Sequence, residues 1–255
     1  MRLESALYTS REGLDSHGKA ISVIGDNISN ANTTGFKRSR VELQARDAEA
    51  VTRGYDYAGS GSINDVGGGV RVHSVATDYS LGMLKDTGVE SDAAIVGDGF
   101  FQAQVGNRRL LTRAGAFAVN PQGQLTTPGG YPVLSAEGEP VLLDLGGAPW
   151  KISPAGEIVQ GDARTPLALV QPANVNALVH EGENFFSMPP GAQATPIPAE
   201  QRNVRSGFLE GSGVEPIREL MSMITASRAY EANVRLMQHQ DEAMGSLVSR
   251  VLHTA

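Results

Sequence analysis

The side chains that could do chemistry are few and widely spaced. His17, His73, His180, His239 and His253 include no His-Glu-x-x-His segment or other paired spacing that would let one helix face hold zinc. No serine lies in a Gly-x-Ser-x-Gly elbow. Neither Gly-x-x-x-x-Gly-Lys-Ser/Thr nor Gly-x-Gly-x-x-Gly occurs, so Gly67-Gly68-Gly69 reads as flexible chain rather than as a phosphate cradle. Asp92 and Asp98 flank a strand, and nothing sets them across a cleft as the two carboxylates of a glycosidase must be. With no cysteine, disulfides and thiolate catalysis are excluded, although the compartment stays open. His17 falls on a helix seam, where a packed or interfacial ring is expected. Arg108-Arg109 reads either as a subunit-contact patch or as a solvated hairpin tip. No catalytic residue, cofactor site or metal-ligand set emerges, so the expectation is a protein that is not an enzyme.

Composition narrows the classes further. The 255 residues suffice for one large domain or two modest ones, and 40% apolar content supports a packed core. Thirty glycines and thirteen prolines assign much of the middle to turns. A net charge of −7, with basic residues scattered and no basic cluster longer than Phe36 to Arg40, argues against nucleic acid as a partner. No apolar run approaches the roughly 20 residues that span a bilayer, so no membrane insertion is expected. Met1 to Ser5 lacks the apolar core of a cleavable signal peptide. The chain is therefore expected in the cytoplasm, or outside it by a route that reads no such signal.

The elements that would position a functional surface lie at the two ends. Leu7, Leu14, Ile21 and Ile28 repeat every seven residues, and Leu3, Ser10, His17 and Ile24 fill the complementary positions. At the other end Leu220, Met223, Ser227, Tyr230, Val234, Met237, Asp241, Met244, Val248 and Val251 alternate by three and four, with Ser227 and Asp241 the polar members. Either segment alone reads as an amphipathic helix over a globular core. Two of them at opposite ends favour a coiled-coil-like terminal pair. The second would run roughly 50 Å, longer than a small domain is wide, so part of its seam should find partners outside its own chain. Gly13, Gly18 and Gly25 each cost about 1 kcal/mol in the first helix, which should order only when neighbours cover it.

Between the helices the pattern is that of short strands. Asn120-Pro121-Gln122-Gly123 suits a type I turn, and Thr127-Pro128-Gly129-Gly130 a type II turn with Gly129 at positive φ. Asp98-Gly99 between Ala94–Val96 and Phe100-Phe101 is a hairpin signal. Further runs at Val141–Leu143, Ile158-Val159 and Leu167–Val170 are spaced like strands of a small barrel or sandwich. The expected fold is α+β: paired long N- and C-terminal helices plus a central β-rich domain. Residues 1–35 and 215–255 would form a discontinuous helical domain, 36–75 an extended linker or polar hairpin, and 76–214 the β domain.

Asn27-Ile-Ser-Asn30-Ala-Asn32-Thr-Thr34-Gly35-Phe36-Lys37, after a helix with this seam, closely resembles the N-terminal motif of bacterial flagellar rod and hook proteins. Asp92 to Phe101 is similar to the strand-and-turn motif opening that family's central domain. Leu111 to Phe117, Gly123 to Leu125 and Gly130 to Val133 are similar to its next hairpin. Leu209 to Val214 and Met223 to Glu231 resemble its C-terminal motif, and the matches run in order over nearly the whole chain. The resemblance implies a structural axial subunit that polymerises helically with copies of itself and with other rod and hook subunits. It also implies export through the flagellar type III apparatus without a cleaved signal, residence in the periplasm-spanning rod of the basal body, a role in motility, and no cofactor. Packing would fall to Leu7, Leu14, Ile21, Ile24, Ile28, Leu220, Met223, Tyr230, Val234, Met237 and Met244. Gly213 departs from the asparagine more frequent in the family. The length leaves no space for the extra outer domain of hook subunits, and Leu209 to Ile217 looks closer to the proximal-rod type, with the distal-rod type or a short hook-like subunit next. Outside the family, the rivals are a soluble β-domain binding module on a coiled-coil stalk and a rod-associated peptidoglycan hydrolase.

Overall fold

The structure is a computed structural model that describes residues 2–62 and 67–253. It has a helix at each end of the chain and a β-rich domain between them, divided into two compact units. The described residues of 1–29, 39–77 and 215–255 form one unit; those of 30–38 and 78–214 form the other.

In the helical unit, α1 (Arg2–Ser29) packs against α3 (Pro216–His253) and against a ribbon of β1 (Ser39–Ala45) and β2 (Val70–Thr77). A short α2 (Glu49–Thr52) follows β1. The two strands are antiparallel, Ser39 opposite Thr77 and Ala45 opposite Val70, with a register shift between Glu42 and Leu43. Helices α1 and α3 run antiparallel, since Ser10 meets Gln240 and Asn27 meets Glu219. Their lengths follow from uninterrupted 3.6-residue patterning. Pro216 opens α3 at a first-turn position, where its missing N–H costs nothing.

In the β unit, six antiparallel strands form one open sheet in the order β13 (Val179–Gly182), β14 (Phe185–Ser187), β6 (Arg108–Thr112), β5 (Phe100–Val105), β12 (Leu169–Pro172) and β15 (Ala194–Pro196). A three-stranded sheet joins β9 (Trp150–Ile152), β10 (Glu157–Gln160) and β11 (Ala163–Pro166). Three two-stranded pairs complete the unit: β3 (Leu84–Asp86) with β17 (Phe208–Glu210), β4 (Ala93–Ile95) with β16 (Val204–Ser206), and β7 (Ala118–Val119) with β8 (Leu125–Thr126). Successive strand residues point to opposite faces. Phe101 accordingly enters the main core with Phe117, Leu125 and Leu167, while Phe100 joins Leu111, Val170 and Phe186 in a second cluster. Both faces are thus buried around Phe100-Phe101, Leu110-Leu111, Leu169-Val170 and Phe185-Phe186 in the middle of the sheet, while β13 at its edge and the Arg108-Arg109 end of β6 stay exposed.

Two expected turns differ. Asp98-Gly99 does not close a hairpin, because β4 pairs with β16 while β5 pairs with β6 and β12; the chain passes there from one sheet to another. At Thr127–Gly130 the expected bond from the Gly130 N–H to the Thr127 carbonyl forms at 2.8 Å, but the left-handed residue is Gly130 (φ 81°), not Gly129. That is the type I turn followed by a left-handed residue, which returns the chain into its partner strand. The run Val141–Leu143 alternates sharply: Val141 is fully buried and Leu142 is 66% exposed. In urea titrations, Leu125→Ala should cost about 2–5 kcal/mol, whereas Leu142→Ala should stay within roughly 0.5 kcal/mol.

Candidate assembly interface

The apolar seam of α1 is only half engaged. Leu7, Leu14, Ile21, Ile24 and Ile28 are all partly buried, and the side chains of Leu3 and Val251 lie outside the described residues. The fully buried positions of α1 form an adjacent line of small and polar residues, namely Ser10, Gly13, Ser16, Val23 and Asn27. On α3, Met223, Val234, Met237 and Met244 are partly buried, Tyr230 is slightly more exposed, and Leu220 is about half exposed. The same helix carries a second apolar set on its opposite side. Ile217 is 76% exposed, and Leu220, Met221 and Ile224 extend it at helical spacing. His17 lies partly buried on α1.

Asn27 explains why the helix ends as it does. Its side-chain oxygen accepts the Ser39 N–H at 2.9 Å, and its Nδ2 donates to the Ser39 carbonyl at 2.7 Å and to Glu219 Oε2 at 3.2 Å. One buried amide therefore pairs with the first residue of β1 as a strand would, and reaches α3 as well.

The remaining motif residues serve the β unit. Asn30 accepts the Thr33 N–H through its carbonyl and the Thr33 hydroxyl through Oδ1, which forms the turn; Asn32 is exposed. The Thr34 carbonyl accepts Asn184 Nδ2 at 2.9 Å. Gly35 has φ 69°, and a Cβ there would lie 2.6 Å from the backbone of Arg113 and Ala114, so both conformation and space require glycine. Its N–H donates to the Glu210 carbonyl at 2.8 Å, and the Phe36 carbonyl accepts the Gly213 N–H at 2.9 Å. The Phe36 ring is buried edge-on to His180.

Next to Phe36 lies a buried ionic cluster. Lys37 Nζ donates to Glu210 Oε1 at 2.5 Å, to the Ser80 carbonyl at 2.7 Å and to the Tyr79 carbonyl at 3.3 Å, so its three protons are all placed. Both side chains are 1% exposed. Glu210 Oε1 also accepts the Gly82 N–H at 2.9 Å, and Oε2 faces Arg113 Nη1 at 3.5 Å. Arg113 donates to the carbonyls of Ile95 and Gly97 and stacks 5.1 Å from the Phe100 ring centroid. Burial pushes the Lys37 ammonium below its ordinary range while Glu210 pulls it back, and burial likewise lowers Arg113. The Ser80 N–H holds Asp78 below the usual carboxylate range.

This arrangement ties chain segments together. Among the described residues no group of three histidine, aspartate or glutamate side chains is placed to hold a metal ion. Arg108 on β6 is paired with Glu181 on β13 at 3.1 and 3.2 Å. Lys37, Arg113 and Glu210 were not among the residues that sequence reasoning singled out. Each is the charged member of one of the three motif stretches Asn27–Lys37, Leu111–Phe117 and Leu209–Val214, and that coincidence was the available signal.

Comparison with known proteins adds an independent line. The family model described as flagella basal body rod protein matches residues 7–37, that for the flagellar hook protein FlgE/F/G D1 domain matches 94–163, and that for the flagellar basal body rod FlgEFG protein C-terminal matches 205–250. The chain is 33% identical over 263 residues to flagellar basal-body rod protein FlgG of Agrobacterium fabrum, covering 97% of this chain and 99% of that one. It is 29% identical over 250 residues to FlgF of Caulobacter vibrioides, covering 98% of each. Similarity to the flagellar hook protein FlgE of Treponema pallidum, 38% over 126 residues, covers 48% of this chain and 27% of the hook protein.

Replacing Lys37 by methionine leaves the Glu210 carboxylate with Arg113, at 3.5 Å, as its remaining cation and should lower unfolding free energy by about 3–5 kcal/mol in urea. His180 provides a pH test. The residue is exposed, but the ring packs edge-on to Phe36 and Phe186, and that partial desolvation lowers its pKa from the ordinary 6.5; its Nδ1 accepts the Gly182 N–H at 3.2 Å, which needs the neutral ring. The unfolded chain therefore takes up the proton first as pH falls through 6.5, and stability present above that value is lost below it. The urea midpoint should fall as the pH drops below about 6.5, and His180→Asn should flatten that dependence.

Proposed function

The chain belongs to the FlgF/FlgG family of flagellar basal-body rod proteins, and from that premise we propose that it polymerises through its terminal helices, paired as a coiled coil, into the proximal part of the axial shaft. It is a structural subunit of the rod, not an enzyme, and it assembles with other flagellar axial subunits. In this reading the terminal helices within 1–35 and 215–255 make the axial packing contacts, 36–75 carries the ribbon and 76–214 the β domain. Subunits reach the growing rod through the type III export apparatus. Among the described residues no helix is long and apolar enough to cross a membrane.

The observation that carries the proposal is the outward apolar face of α3. Ile217, Leu220, Met221 and Ile224 are exposed side by side while the opposite face of the same helix packs on α1. A helix with apolar residues on both sides is made to be buried on both sides. The proximal position is supported by the segment Leu209–Ile217; the likeness to FlgF and to FlgG is full-length in both cases, while the hook relative matches less than half of this chain.

Ile217→Asp with Ile224→Asp should abolish swimming, because it places unpaired charges in the subunit contact. Both side chains are exposed in the free chain, so its own stability should change by no more than roughly 1 kcal/mol. Normal swimming would remove the role given to this face. In basal bodies from a strain lacking the protein, rod and hook should both be missing; a complete rod lacking only the hook would defeat the rod assignment.

A further inference from the structure

A heptad seam has a built-in ambiguity. Leu7, Leu14, Ile21 and Ile28 repeat every seven residues, so sliding α1 along α3 by one heptad, about 10 Å, returns a similar apolar pattern. Something else must select the register. Beside the seam runs a second heptad line whose members differ from one another: Ala6, Gly13, Ala20 and Asn27 on α1, and Glu219, Ala226, Asn233 and Gln240 on α3. The antiparallel pairing aligns these two lines. Asn27 donates to Glu219, both 1% exposed. Gly13 is buried against the Asn233 amide, where a Cβ would lie 3.1 Å from Nδ2. Ser10, also buried, donates to Gln240 at 3.4 Å. One heptad step from either central pair sets Ala20 opposite Ala226.

We propose that this ladder of unlike pairs, with Asn27–Glu219 and Gly13–Asn233 as its rungs, sets the axial register of the two terminal helices. The proposal rests on the reading of the helical pair as the rod's packing element and names what fixes the geometry that the pair presents to its neighbours. A slip of seven residues in one direction puts Glu219 opposite Ala20; in the other it carries Glu219 past the end of α1. Either slip replaces Gly13 with an alanine opposite Asn233 and takes the Asn27 amide from Glu219. The apolar seam then supplies adhesion, which a slip retains, and the ladder supplies the choice of register, which a slip destroys. A single buried polar position is known to select register in coiled coils at some cost in stability.

The chain has no cysteine, so a single engineered pair reports the register. Full-length Ala20→Cys/Ala226→Cys protein is treated with a short bismaleimide, in solution and in basal bodies from complemented cells, and closure of the intrachain link is read by gel mobility. The parental pair should link rapidly. Gly13→Asn, which fills the notch, should slow linking several-fold, and adding Asn233→Ala should restore it. Asn27→Leu with Glu219→Leu should also slow it several-fold. Equal rates in all backgrounds, no linking in the parental pair, or a Gly13→Asn defect that Asn233→Ala does not restore would each overturn the proposal. Incorporation into basal bodies is read separately by immunoblot. A parental chain that links in solution yet never enters basal bodies overturns the rod reading and leaves the register assignment standing.

Discussion

The ammonium of Lys37 and the carboxylate of Glu210 meet 2.5 Å apart, almost wholly out of water, and the β unit is arranged around that contact. Either charge alone would be too costly to bury. Lys37 is reached from the turn Asn30–Phe36, Glu210 from the last strand of the unit, and Arg113 from the strand end beside Gly35. Backbone carbonyls of Tyr79, Ser80, Ile95 and Gly97 supply further acceptors to the two cations around one anion, although Arg113 Nε is left without one. Five stretches far apart in sequence are thereby held at one point. The segment that leaves the N-terminal helix and the strand that leads towards the C-terminal one belong to the same cluster.

The helical unit is held differently. Its deepest line is small and polar, while most of its large apolar side chains are only half covered or turned outward. That inverts the ordinary economy of a globular helix pair, in which the largest apolar residues are buried first. The inversion suits a subunit whose helices find their full burial among neighbours. Gly13 lies close against Asn233, the Asn27 amide reaches Glu219, and apolar surface on α3 stays uncovered in the single chain.

The two ends of the chain were plainly legible. Periodicity of three and four over some forty residues has one economical explanation, and Pro216 marks where the second helix begins. The motif from Asn27 to Phe36 was also visible as a helix stop, because asparagine and threonine compete with the helix through their side chains. What Asn27 does there was not visible. Its partners, Ser39 and Glu219, lie twelve and 192 residues away. The hairpin read at Asp98-Gly99 failed for a similar reason, since local turn chemistry does not say which strands pair when several candidates are near.

The sequence alone determined what depends on near neighbours and on composition: the helices, several turns, the absence of thiol chemistry, and through its ordered motifs the family. Tertiary structure decided which charged residues are buried, which glycine faces which side chain, and which apolar face of α3 is left uncovered. Burial and pairing between distant segments are properties of the folded surface. A lysine closing a motif rich in asparagine and threonine reads the same in sequence whether it ends in water or, as Lys37 does, beside a buried glutamate.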